Sequence, residues 1–302
     1  LLMLDHKRKP TPKPPPEYKI GAADTITRAS VSKPSIFSGR MLAPLVCLAL
    51  FAAPALGIYN FAIDISELGK IASFQCLRNA HYGSVFVRAY KGSADVDKDA
   101  PANIKAAFQA GLGTEVFAVP KPDAWSSAST QMDDTLNALK KQGITVRTLW
   151  LQVTSPVNWH KNQQKNIDFI LKATQRIRSR GVRPGIYTAA YDWQQITNNF
   201  GNLGSDVMLW YWHVFGAGPS GESPATFDDF RPFGQWNQPS VKQFAQAESL
   251  CGFANVNRDV YASNGASGVL LAFNGNETRV ATEAERDEVP DGMNILVGGI
   301  GF

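Results

Sequence analysis

The chain has 302 residues, a formal net charge of +4, and a composition that is 44% hydrophobic and 19% charged. That content is globular, and so mild a charge suits an anionic surface such as a bacterial wall and a neutral partner equally. Arg176, Arg178, Arg180 and Arg183 lie on one helical segment and its exit, where a solvated face explains them better than contact with nucleic acid.

In chain order, the first signal is MLAPLVCLALFAAPALG at Met41 to Gly57. Arg40 precedes it, an apolar core runs from Leu42 to Ala53, and the small residues Ala53, Ala55 and Gly57 allow cleavage, as in a secretory signal peptide. The core is shorter than the about 20 residues that span a bilayer, so the mature chain is expected to have no membrane span. Such a peptide works at an N-terminus, which makes Met41 the expected start. Residues 1–40, with KPTPKPPP at Lys9 to Pro16, then read as a non-native or disordered leader. A buried apolar helix behind a disordered arm is the alternative. Cleavage removes Cys47 and leaves Cys76 and Cys251, an even pair expected to form one disulfide in an oxidising compartment.

From residue 58 to 262 the texture is that of a single domain in which strand-like and helical runs alternate. FAIDI (Phe61 to Ile65) leads through a helical stretch ending near Gly83 to SVFVRAY (Ser84 to Tyr90); a helix ending at Gly111 precedes TEVFAV (Thr114 to Val119). A helix with Met132, Leu136 and Leu139 on one face stops at Gly143 before TLWLQV (Thr148 to Val153). The next places Ile167, Ile170, Thr174 and Ile177 along one stripe, stops at Gly181, and hands over to GIYT (Gly185 to Thr188). A short helix then precedes VMLWYW (Val207 to Trp212), and SVKQFA (Ser240 to Ala245) and Asn257 to Tyr261 complete the strands. Five βα units followed by three strands predict an α/β fold, an irregular TIM-like (β/α)5(β)3 barrel with its site at the C-terminal strand ends. Residues 263–302 show no sustained period and are expected to form a disordered tail.

At those strand ends, FAIDIS, VRAYKG, AGL (Ala110 to Leu112), GIYT, LWYWH and KQF occur in an order and spacing that resemble glycoside hydrolase family 25 lysozymes. WLQVTSPVNW (Trp150 to Trp159), YDW (Tyr191 to Trp193) and VKQFAQ resemble more specifically the secreted lysozyme-like, protist-type proteins of nematodes. The resemblance implies a secreted, monomeric hydrolase of bacterial peptidoglycan that cleaves between N-acetylmuramic acid and N-acetylglucosamine in defence or digestion. Extracellular space, a gut lumen or a lysosome-related compartment would suit it.

Glycosidic cleavage needs a proton donor and a second carboxylate or the substrate's own acetamido group. The family's Asp-x-Glu at the end of strand four falls on Gln152 and Thr154, which cannot donate that proton. The last strand's Asp falls on Asn257, or on Asp259 if the match slides by two. Asp64 alone lands cleanly, so Asp64, Asp259 and Glu115 are the candidate catalytic acids. Glu115 could instead pair with Arg88 or Arg147, and Asp192 could serve as an N-cap or line the site. Tyr187, Gln152, Thr154, Asp192, Trp210, Trp212 and Gln243 are the candidate substrate-binding residues, with the two tryptophans readable as sugar platforms or as barrel core. His81, His160 and His213 fall on different units and no phosphate-cradling glycine motif occurs, so neither metal nor cofactor is expected. An active muramidase and a silent, glycan-binding barrel both remain open.

Overall fold

The structure, a computed structural model, describes residues 59–124, 126–262, 271–274, 277–287 and 294–300. The expected leader (1–40) and signal peptide (41–57) lie outside the described residues. The chain runs β1 (Tyr59–Ile65), α1 (Ile71–Asn79), β2 (Tyr82–Lys91), β3 (Asp95–Val96), α2 (Ala100–Gln109), β4 (Gly113–Ala118) and α3 (Ala128–Lys140). It continues through β5 (Ile144–Val146), β6 (Thr148–Gln152), α4 (Gln163–Ser179), β7 (Arg183–Thr188), α5 (Ala190–Thr197) and β8 (Met208–Trp212). Two long strands, β9 (Val241–Leu250) and β10 (Phe253–Ala262), precede β11 (Leu271–Asn274), β12 (Glu277–Val280), α6 (Glu283–Asp287) and β13 (Asn294–Val297).

Strands β1, β2, β4, β6, β7, β8, β9 and β10 pair in that order, and β10 returns to β1, which closes a mixed, irregular TIM-like barrel. Neighbours are parallel from β1 to β9, whereas β10 is antiparallel to both β9 and β1. Helices pack outside. Met132, Leu136 and Leu139 of α3 and Ile167, Ile170, Thr174 and Ile177 of α4 are buried, as the 3.6-residue period demands. Each fully buried large aliphatic side chain contributes roughly 1.5–3 kcal/mol. Ser127 and Asn162 cap these two helices, accepting from the backbone N–H groups of Thr130 (3.1 Å) and Lys165 (3.3 Å).

Alternation along the strands sends a second set of side chains inward. Ala62, Phe86, Phe117, Trp150, Tyr187, Trp210, Val241 and Tyr261 fill the barrel and are joined from below by Ile300.

Three features differ from the sequence expectation. The residue that turns out of α1 in left-handed backbone is His81 (φ 63°), whereas Gly111, Gly143 and Gly181 serve after α2, α3 and α4. The last strand is longer than the window Asn257 to Tyr261 and forms a hairpin with β9. The segment expected to be a disordered tail contributes strands: β13 pairs in parallel with β5, and Ile295, Val297 and Ile300 are buried. β5 offers an open edge, and four alternating residues are too few to give a period in sequence.

Candidate functional site

The C-terminal ends of β1, β6, β7 and β8 converge with β9 and the N-terminal half of β10. Asp64 stands opposite Asn257 in the β1–β10 register, and Asn257 Nδ2 donates to Asp64 Oδ1 at 3.0 Å. Asp64 Oδ2 is buried and has no hydrogen-bond partner among the described residues. Burial raises the Asp64 carboxyl to about 7, against the lowering effect of the Asn257 bond. Such a group exchanges protons near neutrality.

Asp259 stands opposite Ala62, one inward-facing step deeper than Asn257, and is fully buried. Trp210 Nε1 donates to its Oδ1 at 2.9 Å, while its Oδ2 has no partner among the described residues. Burial, and then the neighbouring charge of Asp64, hold Asp259 well above the usual carboxylate range. The two buried carboxyls therefore oppose each other's ionisation.

Around Asp64, the Tyr187 hydroxyl donates to Gln243 Oε1, and the Tyr187 ring stacks on Trp210 with centroids 4.0 Å apart. Burial, with the charges of Asp64, Asp259 and Asp192, keeps Tyr187 protonated. Gln152 and Thr154 are half-buried and share a face, since Gln152 Nε2 donates to Thr154 Oγ1 at 2.8 Å. Asp192 is buried, and burial raises its carboxyl; its Oδ2 accepts from Trp212 Nε1 at 3.1 Å.

Two candidates lie elsewhere. Glu115 points inward but sits in the lower barrel, where its carboxylate accepts from Trp150 Nε1 (2.9 Å) and from the backbone N–H of Ile300 (2.8 Å). Its proposed partner Arg88 is engaged instead with Asp97 at 2.8 Å. Trp210 is fully buried under Tyr187, so of its two readings the core one fits, whereas Trp212 is half-exposed beside Asp192. Sequence reasoning missed Asn257 as the residue that holds Asp64. It also missed a network outside the barrel wall, in which Asp229 accepts from Lys242 Nζ and the Tyr211 hydroxyl, both at 2.7 Å, and meets His213 Nδ1. The available signal was the aromatic spacing of Phe227, Phe230, Phe233 and Trp236 in an otherwise aperiodic loop.

The family model described as Lysozyme-like protein 1 matches residues 56–244. The chain belongs to the GH25 lysozyme-like family. Lysozyme-like protein 1 of Caenorhabditis elegans is 43% identical over 244 residues, 80% of this chain and 80% of that protein. Lysozyme-like protein 7 of the same organism is 44% identical over 241 residues, 77% of this chain and 84% of that protein. Among solved structures, a family GH25 lysozyme from Aspergillus fumigatus aligns with a TM-score of 0.53 at 17% identity, covering 69% of this chain and 96% of that one. At that identity the likeness carries the fold alone. In the family setting Cys76 and Cys251 form the disulfide expected from the cysteine count, with Cα atoms 5.6 Å apart.

Proposed function

We propose that the protein is a secreted lysozyme-like glycoside hydrolase acting on bacterial peptidoglycan, on a barrel of the (β/α)5(β)3 kind, with Asp64 as its proton donor. The observation that carries this reading is a carboxyl raised to about 7 at the open strand ends, with one oxygen free of partners among the described residues. In the forward step the Asp64 proton passes to the glycosidic oxygen as the C1–O bond breaks. Gln152 and Thr154 offer no carboxylate to the resulting oxocarbenium-like carbon, so the substrate's acetamido oxygen bonds to it. Water then displaces the acetamido oxygen and returns a proton to Asp64. Burial holds the Asp259 carboxyl beneath Asp64 well above the usual range, and Tyr187, Gln243 and Trp212 line the approach.

Asp64→Asn should lower the release of reducing ends from purified peptidoglycan by about 10²- to 10⁴-fold with an unchanged circular-dichroism spectrum. Wild-type activity should fall as the pH rises above about 7, because the donor must be protonated. An Asp64→Asn variant as active as wild type would remove Asp64 from the mechanism.

A second reading, a glycan-binding barrel without turnover, is favoured by the bond between Gln152 and Thr154, which satisfies the two residues standing where the family's acids are expected. Binding without reducing ends in the wild type, together with activity gained by Gln152→Asp with Thr154→Glu, would select it.

A further inference from the structure

Beside the cleft lies a cavity of about 350 Å3 between the β7–α5 turn, the end of β8 and the loop that leads to β9. Its walls are chiefly aromatic: Tyr191, Tyr211, Trp212, Phe230 and Phe233. Tyr191 is 69% exposed, so the cavity opens to solvent along that ring. Two charged groups face this space, and they differ. The Asp229 carboxylate is neutralised by buried Lys242 and further held by Tyr211 and His213. Arg231 is exposed and has no ion pair among the described residues; its Nη1 donates only to the main-chain oxygens of Asp228 (3.1 Å) and Phe230 (2.8 Å).

A sugar ring displays hydroxyls on most of its edge and needs several polar partners, whereas Asp229, Tyr211 and His213 in these walls are bonded to one another and Trp212 Nε1 to Asp192. An anionic ligand with small apolar side chains fits them better: methyl groups pack on the rings, and a carboxylate takes the fork of Arg231. Trp212 lines this cavity and also bonds Asp192 at the cleft, so a ligand bound here is contiguous with one bound there.

Resting on the peptidoglycan reading above, we propose that this cavity is a subsite for the short acidic peptide attached to alternate sugars of the glycan strand, with Arg231 holding a peptide carboxylate and Phe233 packing its methyl groups. Full-length protein is titrated calorimetrically with soluble peptidoglycan strands bearing their peptides and with the same strands stripped by an amidase. Wild type should bind the peptide-bearing strands about tenfold more tightly, the worth of one charge-assisted hydrogen bond. Arg231→Gln and Phe233→Ala should each abolish that preference while keeping the affinity for stripped strands, which also reports that the variants are folded. Equal wild-type affinity for both strands, or a preference that survives both substitutions, overturns the subsite and leaves the peptidoglycan reading intact. Failure to bind either strand overturns that reading, and the subsite with it.

Discussion

Glu115→Gln tests the deepest electrostatic feature of the barrel. Glu115 is 1% exposed, and burial raises its carboxyl to about 7 from the ordinary 4.5, against the lowering effect of its bonds to Ile300 and Trp150. A raised carboxyl means that the folded state binds the proton more tightly than the unfolded chain. Its stabilising contribution is therefore fully present below about pH 4.5 and is lost as the pH climbs through about 7. At ~1.4 kcal/mol per tenfold change in acidity, that interval carries about 3 kcal/mol. Glutamine keeps the shape and cannot ionise, so its stability should lack this loss, although one of the two donors facing it will lose an acceptor. Urea unfolding of both proteins at pH 5, 6, 7 and 8, with the disulfide intact, measures the difference, in which the parallel contributions of Asp64 and Asp259 cancel. The wild type should decline by about 2.5 kcal/mol more than the variant between pH 5 and 8, since part of the loss already falls below pH 5. Identical pH slopes would refute the argument, because they would mean that Glu115 stays ionised in the folded barrel.

Three further perturbations probe the frame. Cys76→Ser opens a loop of 175 positions and should cost about 5 kcal/mol by loop-closure entropy, seen as a lower urea midpoint; a midpoint unmoved by the substitution would contradict it. Gly298→Ala sets a Cβ 2.3 Å from the backbone nitrogen of Thr148 at φ 94°, so β13 should detach from β5. Amide exchange at Ile295 to Val297 should then accelerate, and full protection in the variant would count against this docking. Trp210→Phe removes the donor to buried Asp259 and should cost about 1–3 kcal/mol in chemical denaturation; an unchanged stability would show that Asp259 does not depend on the indole.

The βα rhythm was legible because helix stripes and strand runs are long enough to carry a period, and the cysteine pair because two thiols in an oxidising compartment leave one pairing. Facing was legible too: Asp64, Glu115 and Asp259 all point inward. Depth was not. How far along the barrel a residue lies depends on the stagger between strands, which no single strand encodes, so Glu115 and Asp64 look equivalent in sequence while one sits in the lower barrel and the other at the open end. Direction was hidden as well. Because β10 runs antiparallel, Asn257, two residues before Asp259, is the one that reaches the rim. The loop after β8 escaped because its aromatic rings recur at every third residue, an interval that matches neither a strand nor an α-helix, and because the Asp229–Lys242 pair joins the loop to a separate strand. The pairing of β13 depends on an edge that only the folded chain displays.

The bridge between Cys76 in α1 and Cys251 in the turn between β9 and β10 lies where the barrel closes, because α1 follows β1 and β1 pairs with β10. It turns the intervening chain into a covalent ring. A protease that cuts one loop anywhere between those cysteines opens the ring but releases no fragment: both pieces stay tied, and every barrel strand keeps its neighbour within reach. Two cuts, or one cut with reduction of the bridge, are needed before any strand between the two cysteines can leave.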